Sequence, residues 1–137
     1  MAAGDTALAI QVVQGQGMPL YFLQDAEPVL QWLQDQPAAF LDAHPPLWLM
    51  LAWSYLATSQ HSRMPAPLIG AAAAIALAVQ HPDHGHWRGE LHAVRAWEAV
   101  ARGDAAMIAQ QAALALEWLP QDQAALRTTA HCALGVA

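Results

Sequence analysis

The strongest constraint on what this chain can fold into is a pattern that occurs twice. The stretches Ala66–Pro82 and Asp104–Pro120 are each alanine-rich, carry an Ala-Leu pair near the end (Ala76-Leu77 and Ala115-Leu116), and close on a proline. The two prolines stand 38 residues apart, a spacing in the range of helical repeats. Alanine has the best intrinsic helix propensity, and its small side chain lets neighbouring helices approach closely. Strand-forming residues never alternate cleanly with polar ones, so no sheet is expected. The unit read from this pattern is a helical hairpin, whose apolar face only another hairpin can cover.

Punctuation residues divide the rest of the chain. Asp5 caps a first predicted helix with Leu8, Ile10, Val12 and Val13, ended by Gly15 and Gly17. A second is expected over Leu20–Gln34, broken or restarted near Asp25 because Pro28 is tolerated only in a first turn. Pro37 opens a short turn through Leu41, and His44-Pro45-Pro46 stops it. From Leu47 the residues Met50, Leu51, Trp53 and Tyr55 recur at helical intervals while Trp48, Leu49, Ala52 and Leu56 widen the apolar surface, the signature of a helix buried on both sides. Helices are therefore predicted near 47–59, 66–80, 87–102, 104–119 and 123–135, with His81–His86 as a loop. Gly103 ends one helix and Asp104 caps the next, a tight turn that sets two helices antiparallel, and Pro120 stops the second of them. The fold class is all-α: a right-handed superhelical stack of antiparallel hairpins, tetratricopeptide-like. It forms one helical-repeat domain over residues 1–137, with irregular N-terminal helices in 1–45 and repeat hairpins in 46–137.

Charge narrows the partners. Five Lys plus Arg against eleven Asp plus Glu give a net charge of -6, and the five are all arginines with no cluster among them. Duplex DNA and RNA are bound through a positive stripe that releases counterions, and none exists here. The longest apolar run, Ala66–Val79, falls well short of the roughly 20 residues that cross a bilayer, so no membrane role is expected. The N-terminus has no basic stretch before a hydrophobic core. Cys132, the one cysteine, lies in an apolar stretch and reads as a buried thiol, which excludes a disulfide framework and fits a cytoplasmic setting.

Candidate chemistry is thin. His81, Asp83, His84 and His86 have the types a transition metal wants, but loop spacing lacks the presentation of H-E-x-x-H, so a solvated connection is expected and no metal. His131 and Cys132 point about 100 degrees apart on a helix and cannot form a nucleophile–base pair. Glu90 and Glu98 are two turns apart, too far for paired acid–base work. No enzyme is expected. A binding role rests on the concave face of a solenoid, which the first helix of each hairpin would build; Trp48, Tyr55, Arg95, Glu98 and Arg127 are the residues placed to read a peptide or small molecule. Trp53, Trp87, Trp97 and Trp118 are assigned to interhelical packing, and Arg95 can pair with Glu98 on its own helix.

Leu51-Ala52-Trp53, Arg88-Gly89-Glu90-Leu91 through Ala96, Arg102-Gly103-Asp104, and Ala115-Leu116 followed by Leu119-Pro120 together resemble the helical-repeat region of MalT-like, LuxR-family ATP-dependent transcriptional regulators. Ala3-Gly4-Asp5, Trp32-Leu33, His44-Pro45, Ala125-Leu126-Arg127 and Ala133-Leu134-Gly135 extend the likeness to nearly the whole chain. The resemblance makes Trp53, Gly89, Gly103, Asp104 and Pro120 structural positions. It implies a segment between an ATPase and a helix-turn-helix DNA reader that binds an inducer or protein partner, or self-associates, and signals to both. Neither neighbour is in this sequence: with no lysine there is no G-x-x-x-x-G-K-[ST] loop, and no predicted helix gathers basic residues. The chain then reads as a piece of a larger regulator, without a cofactor of its own, ATP belonging to the parent. The competing reading is a purely structural protein–protein interaction scaffold with no small-molecule pocket. Specific binding of duplex DNA is not expected at about 0.15 M salt, and an electrophoretic titration finding submicromolar, sequence-dependent binding would overturn this.

Overall fold

Prolines start the helices of this protein more often than they separate them. The computed structural model describes residues 30–136, so the predicted helices around Leu8–Val13 and most of Leu20–Gln34, with Asp5, Gly15, Gly17 and Pro28, lie outside the described residues. After a helical turn over residues 30–34, the elements are α1 (Ala38–Ala43), α2 (Pro45–Ala57), a 3₁₀ turn (His61–Arg63), α3 (Pro65–Leu77), α4 (His84–Arg102), α5 (Ala105–Trp118) and α6 (Ala124–Val136). The short α1 ends at Ala43, before His44-Pro45-Pro46 as expected, but Pro45 and Pro46 also form the first turn of α2, which starts two residues before the expected Leu47. A first-turn N–H has no intrahelical acceptor, so its loss there is harmless. The loop expected over His81–His86 is likewise shorter, because α4 begins at His84.

All described secondary structure is helical, and consecutive helices pack pairwise, α2 on α3, α4 on α5 and α5 on α6. The doubly apolar α2 is buried almost throughout, from Leu47 and Leu49 to Trp53 and Tyr55. It supplies the centre of the larger core. A smaller core joins Ala96 and Ala99 to Ile108, Ala112 and Ala133.

The longest helix, α4, touches α2, α3, α5 and α6. Its buried positions alternate small residues, Gly89, Ala93, Ala96 and Ala99, with the larger Trp87, Glu90, Leu91, His92 and Val94. A Cβ on Gly89 would lie 2.7 Å from Leu119 Cγ and 2.9 Å from the Leu119 backbone nitrogen, so the glycine admits the end of α5. Trp48 uses a similar gap in α3: a Cβ on Gly70 would stand 2.7 Å from its indole ring.

Between α4 and α5, Gly103 adopts φ 71°, ψ 27°, the left-handed conformation of a helix C-terminal glycine. The Asp104 N–H donates back to the Ala99 carbonyl at 3.0 Å, and the Asp104 Oδ1 accepts from the Met107 N–H at 3.1 Å. One residue pair thus ends one helix and starts the next. A related turn follows α2, where Ser59 takes φ 59° and the Gln60 N–H reaches the Tyr55 carbonyl at 2.7 Å.

Two surfaces depart from ordinary helical amphipathicity. Helix α3 carries no polar side chain, yet Ala66, Ile69, Ala73, Ala76 and Leu77 are exposed, Ile69 at 69% and Leu77 at 90%. In α6, Leu126, Ala130 and Ala133 face inward, so Cys132, one residue round the helix from Ala133, is exposed rather than buried as expected. Among the described residues no helix is long and apolar enough to cross a membrane.

Gly89→Ala is expected to cost about 1–3 kcal/mol by overpacking α4 against α5, and Gly103→Val about the same through strain at positive φ. Asp104→Ala should cost about 1 kcal/mol as a lost cap. Urea unfolding of the three variants measures this; wild-type stability in Gly89→Ala would show that the two helices can separate freely.

Candidate functional site

The five residues placed by sequence on a binding face go to separate places. Trp48 packs on α3, and its Nε1–H donates to Asp42 Oδ1 at 2.9 Å. Tyr55 is buried, its hydroxyl accepting from Gln34 Nε2 at 3.2 Å. Arg127 Nη1 donates to the Leu116 and Leu119 carbonyls, both at 3.0 Å, closing the C-terminal end of α5 where carbonyls lack helical partners. Only Arg95 and Glu98 share a surface. They do not pair: Glu98 accepts from Arg102 Nε at 2.8 Å, four residues on, and Arg102 Nη1 lies 3.5 Å from Asp104 Oδ2.

The tryptophans divide differently from expectation. Trp53 and Trp87 are core, and Trp97 is half-buried with its Nε1–H on the Thr129 carbonyl at 3.0 Å, joining α4 to α6. Trp118 instead lies at the surface, with the Arg88 guanidinium 4.5 Å above its ring and His84 edge-on.

A polar cluster that sequence reasoning passed over lies inside the α2–α4 contact. Glu90 is 1% exposed and accepts from Trp53 Nε1 at 3.1 Å through Oε1. Its Oε2 has no hydrogen-bond partner among the described residues and approaches His86 Nε2 to 3.8 Å. Burial pushes the Glu90 carboxyl up to about 8, opposed by the Trp53 hydrogen bond. Burial also lowers His86, against the pull of Asp83 and Asp122. Both shifts favour neutral forms, so the contact is a neutral pair too long for a hydrogen bond, not a salt bridge. The i, i+4 spacing of His86 and Glu90 was the available signal, hidden because His86 was assigned to a loop. Nearby, His92 Nδ1 donates to Gln111 Oε1 at 2.7 Å, and burial keeps His92 below its ordinary value. Glu90 and His92 are buried in these pairings and fasten α4 to α2 and α5.

Two hollows remain. One, about 270 Å³, lies between the start of α2 and the end of α3, where Asp42, His44, Leu77, His81 and Trp87 meet. His81 stacks on Trp87 with centroids 4.3 Å apart and accepts from the Asp83 N–H at 3.0 Å. The other is an open trough of about 370 Å³ where α3 passes the α4–α5 pair, lined by Pro65, Leu68, Ile69 and Met107 together with Arg95, Glu98, Arg102 and Gln111. Arg95 is half-buried and, among the described residues, makes no hydrogen bond or ion pair; burial alone lowers its basicity. Among the described residues no three His, Cys, Asp or Glu side chains gather where they could hold a metal ion.

The fold and these surfaces define an all-helical, multi-helix domain of the general helical-repeat kind. No family model, no curated protein and no solved structure matches the chain.

The buried carboxyl gives a pH signature. A group held above its unfolded value binds its proton more tightly in the folded chain, so its contribution is complete below the ordinary 4.5 and is lost as pH rises toward about 8. Across that window stability should fall, with a limiting slope of roughly 1.4 kcal/mol per pH unit from this group. Glu90→Gln keeps an acceptor for Trp53 and cannot ionise. Urea unfolding of the variant should show a flatter pH dependence and higher stability near pH 8; parallel curves for the two proteins would refute the assignment.

Proposed function

We propose that this chain is a non-catalytic scaffold that makes protein contacts through its helical surfaces. The observation that carries the reading is α3. A helix apolar on every side belongs inside a larger assembly, yet one face of this helix is open to water along Ala66, Ile69, Ala73 and Leu77. Polar side chains that chemistry would need are engaged elsewhere: Glu90 with Trp53, His92 with Gln111, and Arg127 with the end of α5.

A finer reading is supported by the residues that resemble the MalT-like repeat region. Leu51-Ala52-Trp53, Gly89-Glu90 and Gly103-Asp104 sit at the α2–α4 and α4–α5 contacts, the positions a stacked hairpin array would use. On that reading the hairpins continue a right-handed tetratricopeptide-like superhelix within a cytoplasmic regulator. An inducer, a protein partner or another copy would be sensed here, while ATP and DNA would be handled by other modules.

A photo-crosslinking amino acid at Ala73 or Ala76 tests the wider proposal, with Ala109 on the exposed side of α5 as control. Protein adducts are expected from the two α3 positions and not from the control, and they should disappear in the Leu77→Glu background. No adduct from α3, or the same adducts from Ala109, would overturn the reading.

A further inference from the structure

The exposed stripe of α3 runs into the Arg95 trough, since Ile69 belongs to both. A guanidinium ordinarily satisfies its five donors with carboxylates, carbonyls or water. Arg95 is half withdrawn from water and meets none of the first two among the described residues. The nearest candidate on its own helix, Glu98, is committed to Arg102 at 2.8 Å, and Arg102 is further shared with Asp104. Below it, His92 is held neutral by burial and tied to Gln111. The trough therefore has aliphatic walls, the Glu98–Arg102 pair on its lining and, among the described residues, one guanidinium, Arg95, without a carboxylate partner.

From this geometry we infer that the trough docks a segment of a partner polypeptide in which a single carboxylate side chain is flanked by aliphatic residues. The carboxylate takes the Arg95 guanidinium, and the aliphatic neighbours lie on Leu68, Ile69 and Met107. Charge selects this occupant. Of the two guanidiniums on the lining Arg102 is taken by Glu98 and Asp104, so Arg95 alone is left to match one carboxylate, and Glu98 repels a phosphate dianion more strongly than a single carboxylate. Shape selects it as well: the trough is open and continuous with the apolar stripe of α3, which suits an extended or helical segment laid across it. The inference rests on the protein-contact reading and specifies the chemistry of that contact.

The test uses the full chain and a defined probe, the amide of acetyl-Leu-Leu-Asp-Ile-Leu, alongside its Asn analogue and free N-acetylaspartate. In ¹H–¹⁵N spectra the Asp peptide should shift the Arg95 Nε–Hε signal and the amides of Leu68, Ile69, Met107 and Gln111. It should bind at least tenfold more tightly than the Asn peptide. Arg95→Gln should bring the Asp peptide down to the Asn level while leaving the Asn peptide unchanged, and Arg95→Lys should fall between. Ile69→Asp, an exposed change that leaves the core alone, should weaken both peptides by removing an apolar contact, and the Asp peptide more, through charge repulsion. Unchanged amide dispersion and unfolding midpoint show that each variant is folded. Equal affinity for the two peptides, full binding by Arg95→Gln, or no shift at millimolar peptide would overturn the inference. Binding of N-acetylaspartate as tight as that of the peptide would replace the polypeptide by a small carboxylate. Crosslinking at Ala73 with a silent trough would sink this site alone; a responsive trough without crosslinking would sink the wider contact and leave the site.

Discussion

The arrangement depends on α4 carrying no side chain at Gly89, where the end of α5 crosses it. Gly89, Ala93, Ala96 and Ala99 line its buried surface, and Leu119 comes so near Gly89 that even a Cβ has no room. Helices usually pack with axes about 8–10 Å apart, and small residues at the crossing allow the near end of that range. Close approach matters because dispersion is lost within a fraction of an ångström of separation. Among the larger side chains, three mark where helices meet: Trp53 between α2 and α4, Leu119 over Gly89, and Trp48 over Gly70. The Gly103-Asp104 turn works with this contact, since it delivers α5 back along α4 at the spacing Gly89 permits.

Polar groups inside that framework are spent on holding it. A buried carboxyl is tolerable when it is neutral and hydrogen-bonded, and Glu90 meets both conditions through its raised pKa and Trp53. His92 and Gln111 satisfy each other between α4 and α5, while Arg127 answers the carbonyls that α5 leaves open at its C-terminal end. The same accounting isolates Arg95, the strongly charged group on α4 that the framework does not use.

Helix positions were legible because local chemistry sets them. Prolines at 45, 65 and 67, the Gly103-Asp104 pair and Pro120 mark ends that hold whatever packs alongside, and the predicted boundaries fall within about three residues of α2 to α6. Local rules started α2 two residues late, because the prolines that stop the preceding helix by clashing with its last turn also open the next, where a missing N–H costs nothing. The polar side chains were far less legible. Whether Arg95 pairs with Glu98 depends on a competition with Arg102 at the better i, i+4 spacing. Whether Arg127 faces a groove or a helix end depends on where α5 stops relative to α6, a tertiary relation that periodicity does not contain. Cys132 was read from its apolar neighbours, but its exposure follows from which side of α6 meets α4 and α5.

The exposed side of α3 bears on what kind of contact such a scaffold can make. Covering a large aliphatic side chain is worth about 1.5–3 kcal/mol, so burying Ile69 and Leu77 would contribute roughly 3–6 kcal/mol. Bringing two free molecules together costs about 4–15 kcal/mol before any contact is counted. The apolar stripe by itself would therefore give a weak encounter between independent proteins. Two circumstances change the balance. A covering helix held at high effective concentration, as in a repeat array or an assembled oligomer, pays the association cost elsewhere, and the stripe then suffices. A charge-assisted pair at Arg95, partly shielded from water, adds an interaction that depends on the identity of the incoming residue, which aliphatic burial does not. On the proposed reading, then, α3 supplies adhesion that any apolar helix could satisfy. Arg95, at the edge of the same surface, decides which one is accepted.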